Sequence, residues 1–587
     1  MSGSETLAGA NMSFCASLVD EWIRCGLKQV VISPGSRSTP MAISMIARAE
    51  LEVHLRLDER SSGFYALGIA RSTGIPVAVL VTSGTAVAEL LPAASEALYG
   101  KVPLLLLTAD RPPRLQGIGA PQTMAQVGIL GTSVKEVYDP GVPDLGKSGH
   151  WRSLACHAYS STLQLSPGPV QVNLAFDEPL IDGPAVPTVG RPAGMPWSTR
   201  GVTLGVPDGR VLDSIFDPKR NGVIILGGGS DIGGSATRLA ELLGWPLLAD
   251  PLSGGISEHP NCIRYFDSIL RSERASGVLL PERVVRFGDV PSSKVLGSFL
   301  SKCANDPTVV VAGFNQGGVI ADPDRIVEVG LSCDLELMLD QVLERVGRLS
   351  NGRNSGYLDR WLALDEAVAT KIEVNVDSAD SLTEVGVARM LASSLGPSDC
   401  IVVSSSMPVR DLEWYAGKRS GFPRVISNRG LNGIDGVVST FLGVAAVGGP
   451  QSLVVGLLGD LALLHDFGSL TWRPAELPKG LLLVNDNDGG SIFSFLAQKE
   501  QVGHTEFERV FGTPHGSNLL DILIGVGLSA RRVSNSCELM TLIDDAREGS
   551  SLKIGVVQSD RQSNLELHKM LSSTCVQAVD SLIESEW

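Results

Sequence analysis

Two cysteines never stand in a C-x-x-C pair in this chain of 587 residues, although it holds nine: Cys15, Cys25, Cys156, Cys262, Cys303, Cys333, Cys400, Cys537 and Cys575. Scattered over such a length they offer neither a disulfide framework nor a zinc knuckle, and we expect them reduced and structural. The eight histidines include no H-x-x-x-H or H-x-H pair, and there is no G-x-S-x-G elbow. Zinc hydrolysis and serine acyl transfer therefore have no foothold. Basic runs are also missing: 64 acidic residues face 48 basic ones, the net charge is −16, and no Lys/Arg cluster is interleaved with the scarce aromatics. That removes the electrostatic footprint nucleic acid requires. No apolar run approaches the ~20 residues needed to cross a bilayer. The start, MSGSETLAGA, lacks a basic region followed by an apolar one. A cytoplasmic chain with no membrane span is the expectation.

What is present is a repeated alternation. The length suggests three domains. From residue 29 to about 180, short apolar runs (QVVIS, LEVHLRL, PVAVLVTSG, VPLLLLTAD, PVQVNLAF) alternate with longer segments that read as helices. Continuous apolar strands separated by helices indicate a parallel sheet covered on both faces. Residues 183–203, DGPAVPTVGRPAGMPWSTRGV, are rich in Pro and Gly and mark a linker. NGVIILGGGSD, WPLLAD, RVVRFGD and TVVVAG read as strands of a second unit, closed by the polar LSNGRNSGYLDR at 349–360. From about 380 the pattern returns in DCIVVSSS, PRVISN, QSLVVGLLGD, GLLLVNDN and LKIGVVQS. We expect an α/β protein of three doubly wound parallel-sheet domains, at 1–185, 205–355 and 380–587.

Ligands of open parallel sheets sit beyond the carboxyl ends of strands. Asp460 follows the strand VVGLLG, and Asn487 and Gly489 follow GLLLV, 27 residues on. That is about one strand–helix–strand crossover, which brings both loops to one rim. An acid and an amide oxygen converging there make a hard oxygen site suited to Mg²⁺, which in such a place usually also holds a phosphate. The backbone N–H groups of Gly489, Gly490 and Ser491, at the start of a following helix, would cradle that anion. The pocket expected is one for a metal diphosphate.

A Gly-Asp opening with an Asn-rich close at this interval resembles the thiamine-diphosphate motif, with Leu461 where a third glycine is usual and Asp486 and Asp488 where Asn and Gly are more frequent. Thiamine enzymes also need a carboxylate against the aminopyrimidine ring, since protonating the ring nitrogen lets the exocyclic amine act as base. Glu59, in LDERSSGFYALGIA, is the candidate, although its position also fits a first-turn glutamate favoured by the helix dipole.

VISPGSRSTPMA, LDERSSGFYALGIAR, TSGTA, LTADRPPRLQGIGAPQT, SNRGLNGIDGVVST, GDLALLHD and NDGGSIF together resemble the 2-succinyl-5-enolpyruvyl-6-hydroxy-3-cyclohexene-1-carboxylate synthases of menaquinone biosynthesis, strongly in the first and third domains and weakly in the middle one. The resemblance implies a thiamine-diphosphate-binding fold and a homodimer or homotetramer with active sites between subunits. It implies decarboxylation of 2-oxoglutarate on thiamine diphosphate with Mg²⁺ (or Mn²⁺) and addition of the carbanion equivalent to isochorismate. Asp460, Asn487 and Gly489 would hold the metal. Glu59, Thr82, Ser405, Ser406, Ile434, Gly459, Leu461, Gly490, Ser491 and Ile492 would join these three around the cofactor, with Ile434 wedged between its rings unless it merely packs in the core. Ser36, Arg37, Arg111 and Gln122 would face isochorismate, and Ser406, Arg410 and Arg429 the oxoglutarate-derived carboxylate. Phe493, with Ile492 and Leu496, would wall the pocket or form a helix's apolar face.

Both substrates are dianions, so several guanidinium groups suit them, and in a chain of charge −16 they would need to form a local positive funnel. Two departures touch substrate grip: Pro121 stands where the family often has Asn, and Val295 replaces an Arg, leaving Lys294 as the basic contributor of the middle domain. Another thiamine-dependent 2-oxoacid decarboxylase or an acetohydroxyacid synthase would have little use for Arg37, Arg111, Arg410 and Arg429 together. A non-catalytic ligand-binding relative would not require Glu59. A nicotinamide reading of ILGGGSDIG fails at Ile232, where the third glycine should stand.

Overall fold

The computed structural model describes residues 7–349, 355–377, 382–417 and 421–587. The start MSGSET, part of the polar stretch 349–360 and the expected third-domain start near 380 lie outside the described residues. From Ser355 onward the stretch expected to close the second unit forms helix Ser355–Ile372.

Three sheets form, parallel throughout. The first contains β1 (Gln29–Ile32), β2 (Glu52–Leu55), β3 (Val77–Val81), β4 (Leu104–Asp110), β5 (Glu136–Tyr138) and β6 (Val170–Ala175), in the order β2-β1-β3-β4-β6-β5. The second contains β7 (Gly222–Leu226), β8 (Leu247–Ala249), β9 (Arg283–Phe287), β10 (Val310–Gln316) and β11 (Val329–Cys333), in the order β11-β10-β9-β7-β8. The third contains β12 (Cys400–Val403), β13 (Arg424–Ile426), β14 (Val454–Gly459), β15 (Gly480–Asp486), β16 (Ala530–Arg532) and β17 (Leu552–Gln558), in the order β13-β12-β14-β15-β17-β16. Central strands are buried along their whole length, as β3, β4 and β15 are, which is what continuous Val/Leu runs between two helical layers require.

By packing, the chain falls into two compact units. One combines residues up to Val202 with 428–449 and 462–479, and the other combines 203–427, 450–461 and 480–587. Each expected sequence domain holds one sheet, and we keep 1–185, 205–355 and 380–587 as a proposal for the domains in chain order.

Within the first unit, helix Glu59–Thr73 starts where the Asp58 carboxylate accepts from Ser61 N at 3.1 Å, and it stops at Gly74 in the left-handed region, φ 70°. Helix Val437–Ala446 crosses it backbone to backbone. A methyl on Gly68 would lie 2.2 Å from the Thr440 carbonyl oxygen, and one on Gly443 would lie 2.0 Å from that of Tyr65. Only glycine permits that approach. All nine cysteines are free thiols, though Cys25 and Cys156, 131 residues apart, lie with their sulfurs 3.6 Å from each other, and Cys537 is exposed. Among the described residues no helix is long and apolar enough to cross a membrane.

Candidate active site

The residues singled out from the sequence lie at or beyond the carboxyl ends of strands, Gly459 being the last residue of β14. In the second unit, the β14–β15 register pairs Gly459 with Asn485, so Asp460 and Asn487 leave adjacent strands at the same rim. Asp460 is 1% exposed. Its Oδ2 accepts from Asn487 N at 3.2 Å and Gly489 N at 2.8 Å, and its Oδ1 from Leu461 N at 2.6 Å. Burial pushes this carboxyl up, while the backbone donors and His515 pull it down. Gly489, at φ 134°, is imposed by the chain, because a Cβ would lie 2.0 Å from Gly512 O. Gly459 is not so imposed, since the nearest atom to a Cβ there is Asn485 O at 4.0 Å.

Asn487 donates Nδ2 to Glu384 Oε1 at 2.9 Å, and its Oδ1 is buried with no partner in the chain. A buried carboxylate and an orphaned amide oxygen are hard oxygen donors of the kind a small cation takes. The expected anion cradle is corrected. Gly489 N is held by Asp460, Gly490 N donates to Gly512 O at 2.7 Å, and Ser491 N donates to Gly489 O at 3.0 Å. Residues Ser491–Phe495 form a 3₁₀ turn rather than a helix start. The tight reversal consumes these N–H groups locally, and the buried, unpartnered Ser491 Oγ is the donor left over. Half-buried Ile492 and Phe493 ride on that turn, Phe493 with its ring 5.7 Å from Phe511.

Beyond β12, Ser405 and Ser406 are half-buried. Ser406 holds φ 41°, a strained conformation for a residue with a side chain, and its carbonyl accepts from Arg410 on the first turns of helix Met407–Tyr415. Lys294 is exposed, as the first residue of helix Lys294–Ala304 after β9.

In the first unit, Glu59 is the first residue of its helix and half-buried. Burial raises its carboxyl above the ordinary value, with the nearby charges of Asp58 and Glu89 adding to the effect and a backbone N–H opposing it. The loop after β1 touches the one after β3: a Cβ on Gly35 would lie 2.3 Å from Thr82 Cβ, and Thr82 Oγ1 is buried without a partner. Arg37 is buried, giving Nη1 to Phe176 O at 3.1 Å and Nη2 to Glu178 at 2.9 Å, while Ser36 beside it is exposed.

Arg111 donates to Ser83 Oγ, and burial together with the Arg37 charge lowers its pKa. The Arg37 charge beside Arg111 adds positive potential there, with Glu178 the carboxylate already paired to Arg37. Gln122, at φ 55°, is clamped to Ser83 by reciprocal bonds, Nε2 to Ser83 O at 2.9 Å and Ser83 Oγ to Gln122 O at 3.0 Å. Arg429 is half-buried. Ile434 is 42% exposed, so core packing within the chain does not account for it.

Residues 12–129 match the family described as thiamine pyrophosphate enzyme, N-terminal TPP binding domain, and residues 210–402 match the one described as middle domain of thiamine pyrophosphate. The 2-succinyl-5-enolpyruvyl-6-hydroxy-3-cyclohexene-1-carboxylate synthase of Chloroflexus aurantiacus is 40% identical over 84% of this chain and 84% of its own. Those of Thermobifida fusca and Myxococcus xanthus are 38% and 34% identical, over 96% and 99% of this chain and 98% and 99% of theirs. The chain belongs to this synthase family.

Two residues beside the rim of this family member escaped the sequence reading. His515 Nε2 lies 3.4 Å from Asp460 Oδ2 and 3.5 Å from Asp486 Oδ1, and Ser517 N donates to its Nδ1 at 3.0 Å. Glu384 reaches Asn487 from 103 residues earlier. Neither stands at a spacing that a motif could reveal. In the synthase His515 comes from a loop between β15 and β16, and Glu384 from the helix that precedes β12.

Proposed function

We propose that this synthase converts 2-oxoglutarate and isochorismate into 2-succinyl-5-enolpyruvyl-6-hydroxy-3-cyclohexene-1-carboxylate and carbon dioxide, with thiamine diphosphate and Mg²⁺ or Mn²⁺. The observation that carries the reading is the buried Asp460 carboxylate beside the orphaned Asn487 oxygen. When bound, thiamine diphosphate supplies the electron sink that makes loss of carbon dioxide from a 2-oxoacid accessible.

The chain's own residues do the rest. Asp460, Asn487 Oδ1 and the Gly489 carbonyl would hold the metal, whose charge would offset that of the diphosphate. Ser491 Oγ and Thr82 Oγ1, both buried and unpartnered, are hydrogen-bonding groups for the cofactor. Gly459 leaves open the space a side chain would fill. Glu59, whose carboxyl burial raises above its ordinary value, would hold a proton for the pyrimidine ring nitrogen. Exposed Ile434 would offer the cofactor an apolar surface.

Arg37 and Arg111, with Ser36 and Gln122, bind the isochorismate carboxylates, and Arg410, Arg429 and Ser406 bind that of oxoglutarate. Each charge-assisted bond contributes roughly 1.5–3 kcal/mol. Lys294 adds a basic group from the middle domain. The assembly proposed is a homodimer or homotetramer in the cytoplasm, with each active site between subunits.

The test is incubation with thiamine diphosphate, Mg²⁺ and 2-oxoglutarate, with and without isochorismate, following carbon dioxide and the mass of the coupled product. Coupled product is expected only with both substrates. Turnover of pyruvate in preference to 2-oxoglutarate would overturn the assignment.

A further inference from the structure

An asparagine side chain has two ends of nearly the same shape, and only its oxygen can ligate a cation. Something must fix which end of Asn487 faces inward. The geometry points to Glu384 as the positioning residue that turns Asn487 Oδ1, rather than Nδ2, toward the metal. This inference rests on the metal site proposed above.

Glu384 is 2% exposed and is the first residue of helix Glu384–Ser394, whose start is fixed by Thr383 Oγ1 accepting from Gly386 N at 3.0 Å. One of its oxygens, Oε1, accepts twice: from Asn487 Nδ2 at 2.9 Å and from Ser559 Oγ at 2.7 Å. An oxygen that receives two donors is an acceptor whether or not the other oxygen carries a proton, so Glu384 orients the amide in either ionisation state. Ser559 belongs to the same rim, because its N–H donates to Asp486 O at 2.9 Å just past the end of β17. The serine ties Glu384 to the strand ends, and Glu384 ties the amide.

Turning the Asn487 amide over would set two acceptor oxygens against each other at the distance now bridged by a hydrogen. It would also aim an NH₂ group at the cation. Both interactions would be lost together, and in a site shielded from water nothing would compensate. The orphaned state of Oδ1 is the other half of the same arrangement: one end of the amide is committed to the protein and the other is kept free.

Mn²⁺ binding to the full chain in the presence of thiamine diphosphate, read from the spin-resonance signal of the free ion, tests this without reference to turnover. Glu384→Ala is expected to weaken Mn²⁺ binding about 10–100-fold, the usual cost of losing an outer-shell partner. Glu384→Gln, whose carbonyl oxygen can take both donors, is expected to stay close to wild type. Ser559→Ala leaves Glu384 in place but unanchored, and is expected to give a smaller loss. Thermal unfolding without metal, recorded for each variant, separates lost orientation from lost folding.

Unchanged affinity in Glu384→Ala and Ser559→Ala, with wild type binding normally, overturns the inference, as does a Glu384→Gln variant as weak as Glu384→Ala. Should Glu384→Ala fail to fold, Ser559→Ala decides in the same way. Failure of the wild-type chain itself to bind Mn²⁺ overturns the metal site and this inference with it.

Discussion

The first and third sheets run through their six strands in the same order, with the strand that comes third in sequence beside the first and the fifth at an edge. Their rims share a serine and an arginine after the leading strand but differ in chemistry at the next three places. After the leading strand stand Ser36 and Arg37 in one and Ser405, Ser406 and Arg410 in the other. After the second stand Glu59 in one and Arg429 with Ile434 in the other. The third and fourth strands of the first sheet lead to Thr82 and Arg111, and those of the third sheet lead to Asp460 and Asn487, flanked by Asp486 and Asp488. Topology decides where a ligand can be reached, and a few side chains decide the sign of the charge it meets. At the third and fourth strands the first rim suits a carboxylate and the other a cation.

The largest effect should come from the carboxylate on the first rim. Glu59→Gln keeps shape and removes the acid, and turnover should fall roughly 10²–10⁴-fold while calorimetric binding of thiamine diphosphate stays near wild type. Unchanged turnover would erase the functional difference between the rims. Next is Asp460→Ala, which removes a metal ligand outright. Cofactor retention through gel filtration with Mg²⁺ should drop by more than the about 10–100-fold that an outer-shell partner costs, with the arginine rim untouched.

Arg111→Ala and Arg37→Ala should each raise KM for isochorismate about 10–100-fold, the equivalent of roughly 1.5–3 kcal/mol, while decarboxylation of 2-oxoglutarate persists. Equal loss of both half-reactions would show that the first rim serves more than one substrate.

The smallest effect concerns pH and contrasts two buried acids. Burial raises Glu96 above its ordinary 4.5 despite backbone donors at Gly430 and Leu431 and the nearby Arg71. Its contribution to stability is therefore present at low pH and lost as pH climbs from 4.5 through the raised value. Asp399 is also opposed by burial, but the Arg547 pair and the N–H groups of Gly396 and Leu453 prevail and lower it from 3.8. Its contribution is present above 3.8 and lost as pH falls through the lowered value. Urea midpoints across pH should show Glu96→Gln removing the loss of stability that sets in above about pH 4.5, and Asp399→Asn the loss that sets in below about pH 3.8.

Legibility from sequence followed burial. Central strands such as VAVLV at 77–81 and GLLLVND at 480–486 are buried on both faces and read directly as apolar runs. The three strands that did not stand out, Glu136–Tyr138, Val329–Cys333 and Ala530–Arg532, all lie at sheet edges, where exposed positions break the run. At the site, Asp460 and Asn487 were legible because a single crossover relates them. Glu384 and His515 were not, because tertiary packing alone brings them there. The N–H groups of Gly489, Gly490 and Ser491 were misjudged for a local reason: a glycine pair promises free donors, but the turn it permits folds back on Gly512 and closes them.

The glycine crossing of helices Glu59–Thr73 and Val437–Ala446 has a genetic consequence. Gly68 lies about 13 Å along the helix from the carboxylate at its start, and a single added methyl there would push the whole rod off its seat. A screen for inactive variants should therefore collect changes at Gly68 and Gly443 as readily as at the acid itself, in chains that retain every ligand-binding side chain.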